Sequence, residues 1–140
     1  MRKCVVYIDE NLPNQLAAGL NNLQYPLNKK DELEIEVRSI KEDFGTGMAD
    51  EEWIPRIGEV NGVVITQDFR IQTQRHQKEL YIENGVGILF LNPPSKSGFR
   101  YWDIVKLLVS KWEEIRQIIK RDQPPFAYRC TSRSNFEKFD

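Results

Sequence analysis

The sequence predicts an α/β domain of three layers, with a mainly parallel central sheet flanked by helices. Three observations carry that reading. Short apolar runs recur along the 140 residues, at Cys4 to Ile8, Gly62 to Thr66 and Val86 to Leu91. Between them lie longer segments whose apolar residues repeat at helical spacing. The run Val63-Val64-Ile65 has no polar alternation, as a strand covered on both faces requires.

Strand one is Cys4-Val5-Val6-Tyr7-Ile8, and it ends at Asp9-Glu10-Asn11-Leu12-Pro13. A helix is expected from Leu12, with Asn11 as its cap and Pro13 in the first turn, where a missing N–H breaks no bond. Leu12, Leu16, Leu20 and Leu23 give it an apolar stripe, and Tyr25-Pro26 to Lys30 reads as a polar break. Leu33, Ile35 and Val37 alternate with Glu34, Glu36 and Arg38, the pattern of a strand with one wet face at a sheet edge. Phe44 to Met48 is a glycine-bearing loop. Asp50 is the expected cap of the next helix, with Glu51 and Glu52 in its first turn, where the helix dipole favours negative charge. Trp53, Ile54 and Ile57 point inward, and Asn61-Gly62 turns the chain into the central strand.

Beyond that strand, Phe69 to Glu83 reads as one polar helix closed by Asn84-Gly85. The fourth strand is Val86 to Leu91. Tyr101 to Arg121 is the last large helix, with Trp102, Val105, Leu108, Val109, Trp112, Ile115 and Ile119 as its expected buried face. Pro124-Pro125 stops it. The chain therefore divides into a domain over residues 1–123 and a basic, aromatic tail over 124–140, expected to pack on the same domain as a short strand or hairpin.

No segment reaches the roughly 18 consecutive apolar residues of a membrane span, so no membrane association is expected. Met1-Arg2-Lys3 leads straight into strand one without a signal-peptide pattern, and Cys4 and Cys130 stand in no metal-ligand spacing. A reducing cytoplasm is the expected setting. Charge is uneven: residues 1–69 carry 7 Lys and Arg against 13 Asp and Glu, and residues 70–140 carry 13 against 8. An acidic half suits a cation, and a basic half suits a phosphate backbone.

Asp9 and Asp68 are each the first acid after a strand run, and neighbouring parallel strands bring such ends together at the edge where ligands of open α/β sheets bind. Asp50-Glu51-Glu52 adds a third acidic group. Carboxylates gathered there repel one another unless a hard divalent cation joins them, which predicts a magnesium site. His76 lies in a polar stretch and reads as a solvated surface residue. Gly45-Thr46-Gly47 lacks the lysine and the length of a phosphate-binding loop.

The segments Asp9-Glu10-Asn11-Leu12-Pro13, Asp50-Glu51-Glu52-Trp53-Ile54 and Val63-Val64-Ile65-Thr66-Gln67-Asp68 together resemble the PIN-like nuclease family, closest to its small single-domain members that pair a "DENLP" opening with a "T-x-D" strand end. The resemblance runs from residue 3 to about residue 120. It implies a Mg²⁺- or Mn²⁺-dependent endoribonuclease, often the toxin of a toxin–antitoxin pair. Its partners would be an RNA substrate and an antitoxin encoded nearby, and a homodimer is compatible with it. Matched residue by residue, it implies Asp9, Asp50 and Asp68 as catalytic metal ligands, with Glu10 and Glu51 as secondary ligands. Thr66 and Asn11 would support them.

Arg70 stands where many such sequences carry another acid, and its guanidinium suits a scissile phosphate. Arg75 and Lys96 are further candidates for phosphate or RNA contact, within a wider basic rim of Lys78, Arg100, Arg129 and Arg133. Two other functions fit the acids: a receiver-like, Mg²⁺-dependent phosphoacceptor switch using Asp9, Glu10, Asp68 and Lys96, and an inert PIN-like binding module.

Overall fold

The computed structural model describes residues 2–139. Six strands form one sheet: β1 (Arg2–Ile8), β2 (Leu33–Ser39), β3 (Val63–Thr66), β4 (Gly87–Leu91), β5 (Phe126–Cys130) and β6 (Glu137–Lys138), in the spatial order β2-β1-β3-β4-β5-β6. The first five are parallel, and β6 returns antiparallel to β5. The helices are α1 (Gln15–Asp31), α2 (Ile40–Phe44), α3 (Asp50–Glu59), α4 (Arg70–Thr73), α5 (Arg75–Glu83) and α6 (Tyr101–Arg121).

Alternation along the strands builds two cores, one on each face. Cys4, Val6, Ile8, Val63, Ile65, Leu89 and Leu91 pack with α1 and α6. Val5, Tyr7, Val64, Ile88 and Phe90 pack with Ile40, Trp53, Ile54, Ile57, Ile71 and Tyr81 on the other face. β3 is buried along its whole length between two parallel neighbours, which explains its unbroken apolar sequence. From β1 the chain moves first to β2 on one side and then to β3 on the other. That reversal opens a crevice beyond the carboxyl ends of β1 and β3.

Several expectations are corrected. The first helix begins at Gln15, preceded by Asn14, whose side chain makes no capping bond, so Asn11 belongs to the preceding loop. It does not break at Tyr25-Pro26 but runs through Pro26 to Asp31. Asn28, inside the expected break, serves the edge strand instead, as does Asn21 within the expected helix. Asn21 Oδ1 accepts Val37 N–H at 2.9 Å, and Asn28 both accepts from Ile35 N–H and donates to its carbonyl. They satisfy the backbone groups that an edge leaves unpaired. Gln24 is fully buried, accepting from Trp112 Nε1 at 2.8 Å and donating to Asn28. Leu23, by contrast, is exposed.

Asp50 is not the cap of α3 but its first helical residue, and Ala49 precedes it. Ser39 caps a short helix, α2, that the sequence did not suggest, its hydroxyl accepting from Glu42 N–H. The single polar helix expected over 69–83 is two helices, because Gln74 is extended (φ −124°, ψ 105°). On α6 the buried face is Ile104, Leu107, Leu108, Trp112, Ile115, Ile118 and Ile119, with Arg116 beside them. Trp102 and Val109 are exposed: with Val105 they make a second apolar stripe that adjoins the buried one. No helix among the described residues is long and apolar enough to cross a membrane. Residues 126–130 form the fifth strand, paired along their length with β4.

Candidate active site

The register of β1 and β3 builds the centre of the site. Ile8 pairs with Ile65, and Asp9 N–H donates to Ile65 C=O at 3.0 Å, so Asp9 lies beside Thr66 on the same face. Thr66 is fully buried, and its hydroxyl donates to Asp9 Oδ2 at 2.6 Å. Thr66 Oγ1 also accepts from Asp68 N–H at 3.0 Å and from Asn11 Nδ2 at 3.4 Å. One hydroxyl thus ties together the loops after both strands. Gln67 reinforces them, donating to Asn11 C=O at 2.6 Å and accepting from Phe99 N–H at 3.0 Å.

Asp9 is 7% exposed and has no salt-bridge partner among the described residues. Its other oxygen, Oδ1, accepts from Glu10 N–H at 2.8 Å. Burial pushes its carboxyl up to about 6, opposed by the bonds from Thr66 and Glu10 and assisted by the charges of Asp68 and Asp50. Tyr81, buried below the acids, is held well above the ordinary phenol range by burial first, then by the charges of Asp9, Asp50 and Asp68.

Arg70 joins the other two acids. Its Nε reaches both oxygens of Asp68, at 3.2 and 2.9 Å, and its Nη2 reaches Asp68 Oδ2 at 2.6 Å. Nη2 also lies 3.1 Å from Asp50 Oδ2. The bonds to Asp68 are the largest reason that the guanidinium holds its proton even more firmly than a free arginine. Asp50 also accepts from Gln77 Nε2 at 2.6 Å. The break at Gln74 lets α4 aim Arg70, and α5 aim Gln77, at the same carboxylate.

The structure therefore brings Asp9, Asp50, Asp68, Thr66, Asn11 and Arg70 together. Glu10 is exposed and, among the described residues, accepts only from Gly47 N–H at 3.4 Å, and Glu51 is exposed on α3. Lys96 stands exposed in the loop after β4 and makes no ion pair with the acids, so the lysine contact of a receiver-like site is not formed. Arg75 pairs with Glu79, makes no ion pair with the acids, and lines a groove between α4, α5 and the C-terminal strands. Gln77 and Gln67 were not foreseen. Gln77 sits in the uniformly polar run from Gln72 to Lys78, and only its four-residue spacing to Tyr81 marks it as an inward position.

The donor set suits a hard divalent ion in kind: carboxylate oxygens, a hydroxyl that orients one of them, and a buried carboxylate with no cation of its own. Among the described residues no three acid, histidine or cysteine side chains stand close enough to grip one ion as they are placed here. The guanidinium of Arg70 supplies the positive charge between Asp50 and Asp68. Asp9, Asp50 and Asp68 are the residues that would hold an ion, and Arg70 is the group that must give way to it.

A family model described as a PIN-like domain matches residues 4–93, which hold most of β1, all of β2 to β4 and all three acids. Comparison with curated proteins finds no match. Among solved structures, a 3-dehydroquinate dehydratase-like protein from Bifidobacterium longum is similar at 20% identity, covering 70% of this chain and 80% of its own, with a TM-score of 0.39.

Proposed function

The chain belongs to the PIN-like domain family, and on that premise we propose that it is a Mg²⁺- or Mn²⁺-dependent endoribonuclease. The observation that carries this reading is the buried, cation-free carboxylate of Asp9, held by Thr66 beside Asp68 at the crevice between β1 and β3. A divalent ion held by Asp9, Asp50 and Asp68 would activate water and offset charge on the phosphoryl oxygens. This chain's residues set the geometry for that chemistry. Thr66 fixes the rotamer of Asp9, and Gln77 fixes that of Asp50. Arg70 already makes a fork-like contact with a carboxylate, and the same donors match a phosphate. In this reading Arg70 passes from Asp68 to the scissile phosphate as RNA enters.

As the toxin of a toxin–antitoxin pair, the enzyme would be silenced by a partner that covers the acids or inserts a cation among them. Arg70 demonstrates that a guanidinium is well received there. The same contact favours one other reading, an inert PIN-like binding module in which Arg70 permanently replaces the ion.

The test is cleavage of a panel of structured and single-stranded RNAs with Mg²⁺ or Mn²⁺, by wild type beside Asp9→Asn. Metal-dependent cutting that the substitution abolishes supports the nuclease. A folded wild type that cuts no RNA with either metal overturns it in favour of the inert module.

A further inference from the structure

We infer that the groove between α5 and the C-terminal strands is a binding channel for single-stranded nucleic acid leading to the acid cluster, an inference that rests on the nuclease reading for its substrate class. The groove has a volume of about 870 Å³. Its walls carry four cations, Arg75, Lys78, Arg129 and Lys138, against one acid, Glu79.

Two of those cations converge on one aromatic ring. Lys78 Nζ lies 5.2 Å and the Arg129 guanidinium 5.5 Å from the centre of the Phe139 ring. Phe139 is only half-buried and is fixed at its backbone, its N–H donating to Ala127 C=O at 3.2 Å. Both cations stand over the ring, which also packs against Phe90 at 6.4 Å between centres, so phosphates meet the cations first and a base takes the exposed ring as a cation swings out to its phosphate. Charge compensation inside the groove is weak. Arg75 pairs with exposed Glu79, Arg129 meets exposed Glu137 only at 3.9 Å, and no ion pair among the described residues holds Lys78 or Lys138.

Position relates the groove to the acids. Ile71, Gln72 and Thr73 of α4 line it, and Arg70 of the same short helix holds Asp50 and Asp68. On α5, Gln77 bonds Asp50 while its neighbour Lys78 faces the groove. A strand lying along α5 would therefore reach Arg70 within one helical turn of Thr73. Pro125, Phe126, Ala127, Arg129, Lys138 and Phe139, which form this wall, all lie outside residues 4–93.

The experiment is fluorescence anisotropy of a labelled 12-nucleotide single-stranded RNA in EDTA, so that binding is read without cleavage. The Lys78→Ala/Arg129→Ala double variant is expected to bind about tenfold more weakly, with a salt slope shallower by about 1.4, the value for two lost phosphate contacts on a single strand. Lys106→Ala, a cation removed from the opposite face, is expected to bind as wild type. Lys78→Arg/Arg129→Lys keeps the charges and should recover affinity, which separates the loss of contact from damage to the fold. An unchanged affinity and salt slope in the double variant would overturn the channel. So would equal affinity for an RNA duplex of the same length, or equal competition by poly-glutamate of matched charge, which would identify an acidic protein as the ligand. The metal-dependent cleavage test reads separately. Cutting that persists while the double variant binds normally removes the channel alone, and loss of binding in a protein that never cuts removes the nuclease alone.

Discussion

Arg70 clasps Asp68 through both Nε and Nη2 and reaches Asp50 with the same Nη2 nitrogen, so one side chain neutralises two of the three acids at the crevice. Asp9, the third, has no such partner among the described residues. The cluster thus folds as two compensated carboxylates and one uncompensated one. An incoming cation competes with Arg70 for the first two and meets no competitor at the third.

Arg70→Gln should lower the melting temperature in EDTA, because two half-buried carboxylates then repel each other unopposed. Added Mn²⁺ should raise the melting temperature of this variant by more than that of wild type, since stabilisation by a ligand grows with its affinity for the folded state. Differential scanning fluorimetry with and without Mn²⁺ reads both effects. An equal or smaller metal-induced shift in the variant would show that Arg70 does not compete with the ion.

Thr66→Val keeps the shape of a fully buried side chain and removes the hydroxyl shared by Asp9, Asp68 and Asn11. A buried carboxylate oxygen and a backbone N–H lose their partner, at a cost of about 1–3 kcal/mol. Urea denaturation at neutral pH should show that loss, and Thr66→Ser should recover most of it. A midpoint equal to wild type in the valine variant would mean that the hydroxyl is replaceable by water.

Behind α1, the Arg116 side chain is 7% exposed and paired with Asp31 and with the exposed Glu113. Asp31→Ala leaves a buried guanidinium with one solvated partner and should cost about 3–5 kcal/mol, as breaking one side of a buried pair generally does. Adding Arg116→Met should restore part of that stability, because the stranded charge is removed. The two denaturation midpoints are the measurement, and a double variant less stable than the single would refute the account.

Burial raises the thiols of Cys4 to about 11 and Cys130 to about 12, from an ordinary value of 9.0. The folded state therefore holds these protons longer than the unfolded chain does. Below pH 9 both states are protonated and stability is unaffected. Above it the unfolded thiols ionise first, and stability should fall by up to about 1.4 kcal/mol per pH unit for each thiol until the folded value is reached. Denaturation midpoints from pH 8 to 11, compared with a Cys4→Ala/Cys130→Ala variant, should show a shallower alkaline slope in the variant.

The strands were legible because burial on both faces leaves an unbroken apolar run, and the acids at their ends because parallel strands collect their carboxyl ends on one edge. The register was not legible. That Ile8 faces Ile65, and so sets Thr66 against Asp9, depends on pairing across 57 residues. Polar residues misled most. Asn28 lies in a stretch that reads as a break, and Asn21 and Gln24 carry no sign of burial, yet they pair with edge-strand backbone and with Trp112, contacts that exist only after tertiary packing. Gln77 was hidden in the same way. Arg75, Lys78 and Arg129 could be grouped from the sequence as a basic rim, but Lys138 and the groove itself could not be placed, because Arg129 and Lys138 meet Lys78 only when β5 joins β4 and β6 folds back.

The most direct measurement of the central claim is Mn²⁺ titration followed by electron paramagnetic resonance, with wild type, Asp9→Asn and Asp68→Asn compared after each is shown to be folded. The account predicts one saturable Mn²⁺ per wild-type chain and its loss in both variants. Saturable binding that survives both substitutions would place the ion elsewhere and contradict the assignment of this crevice as its site.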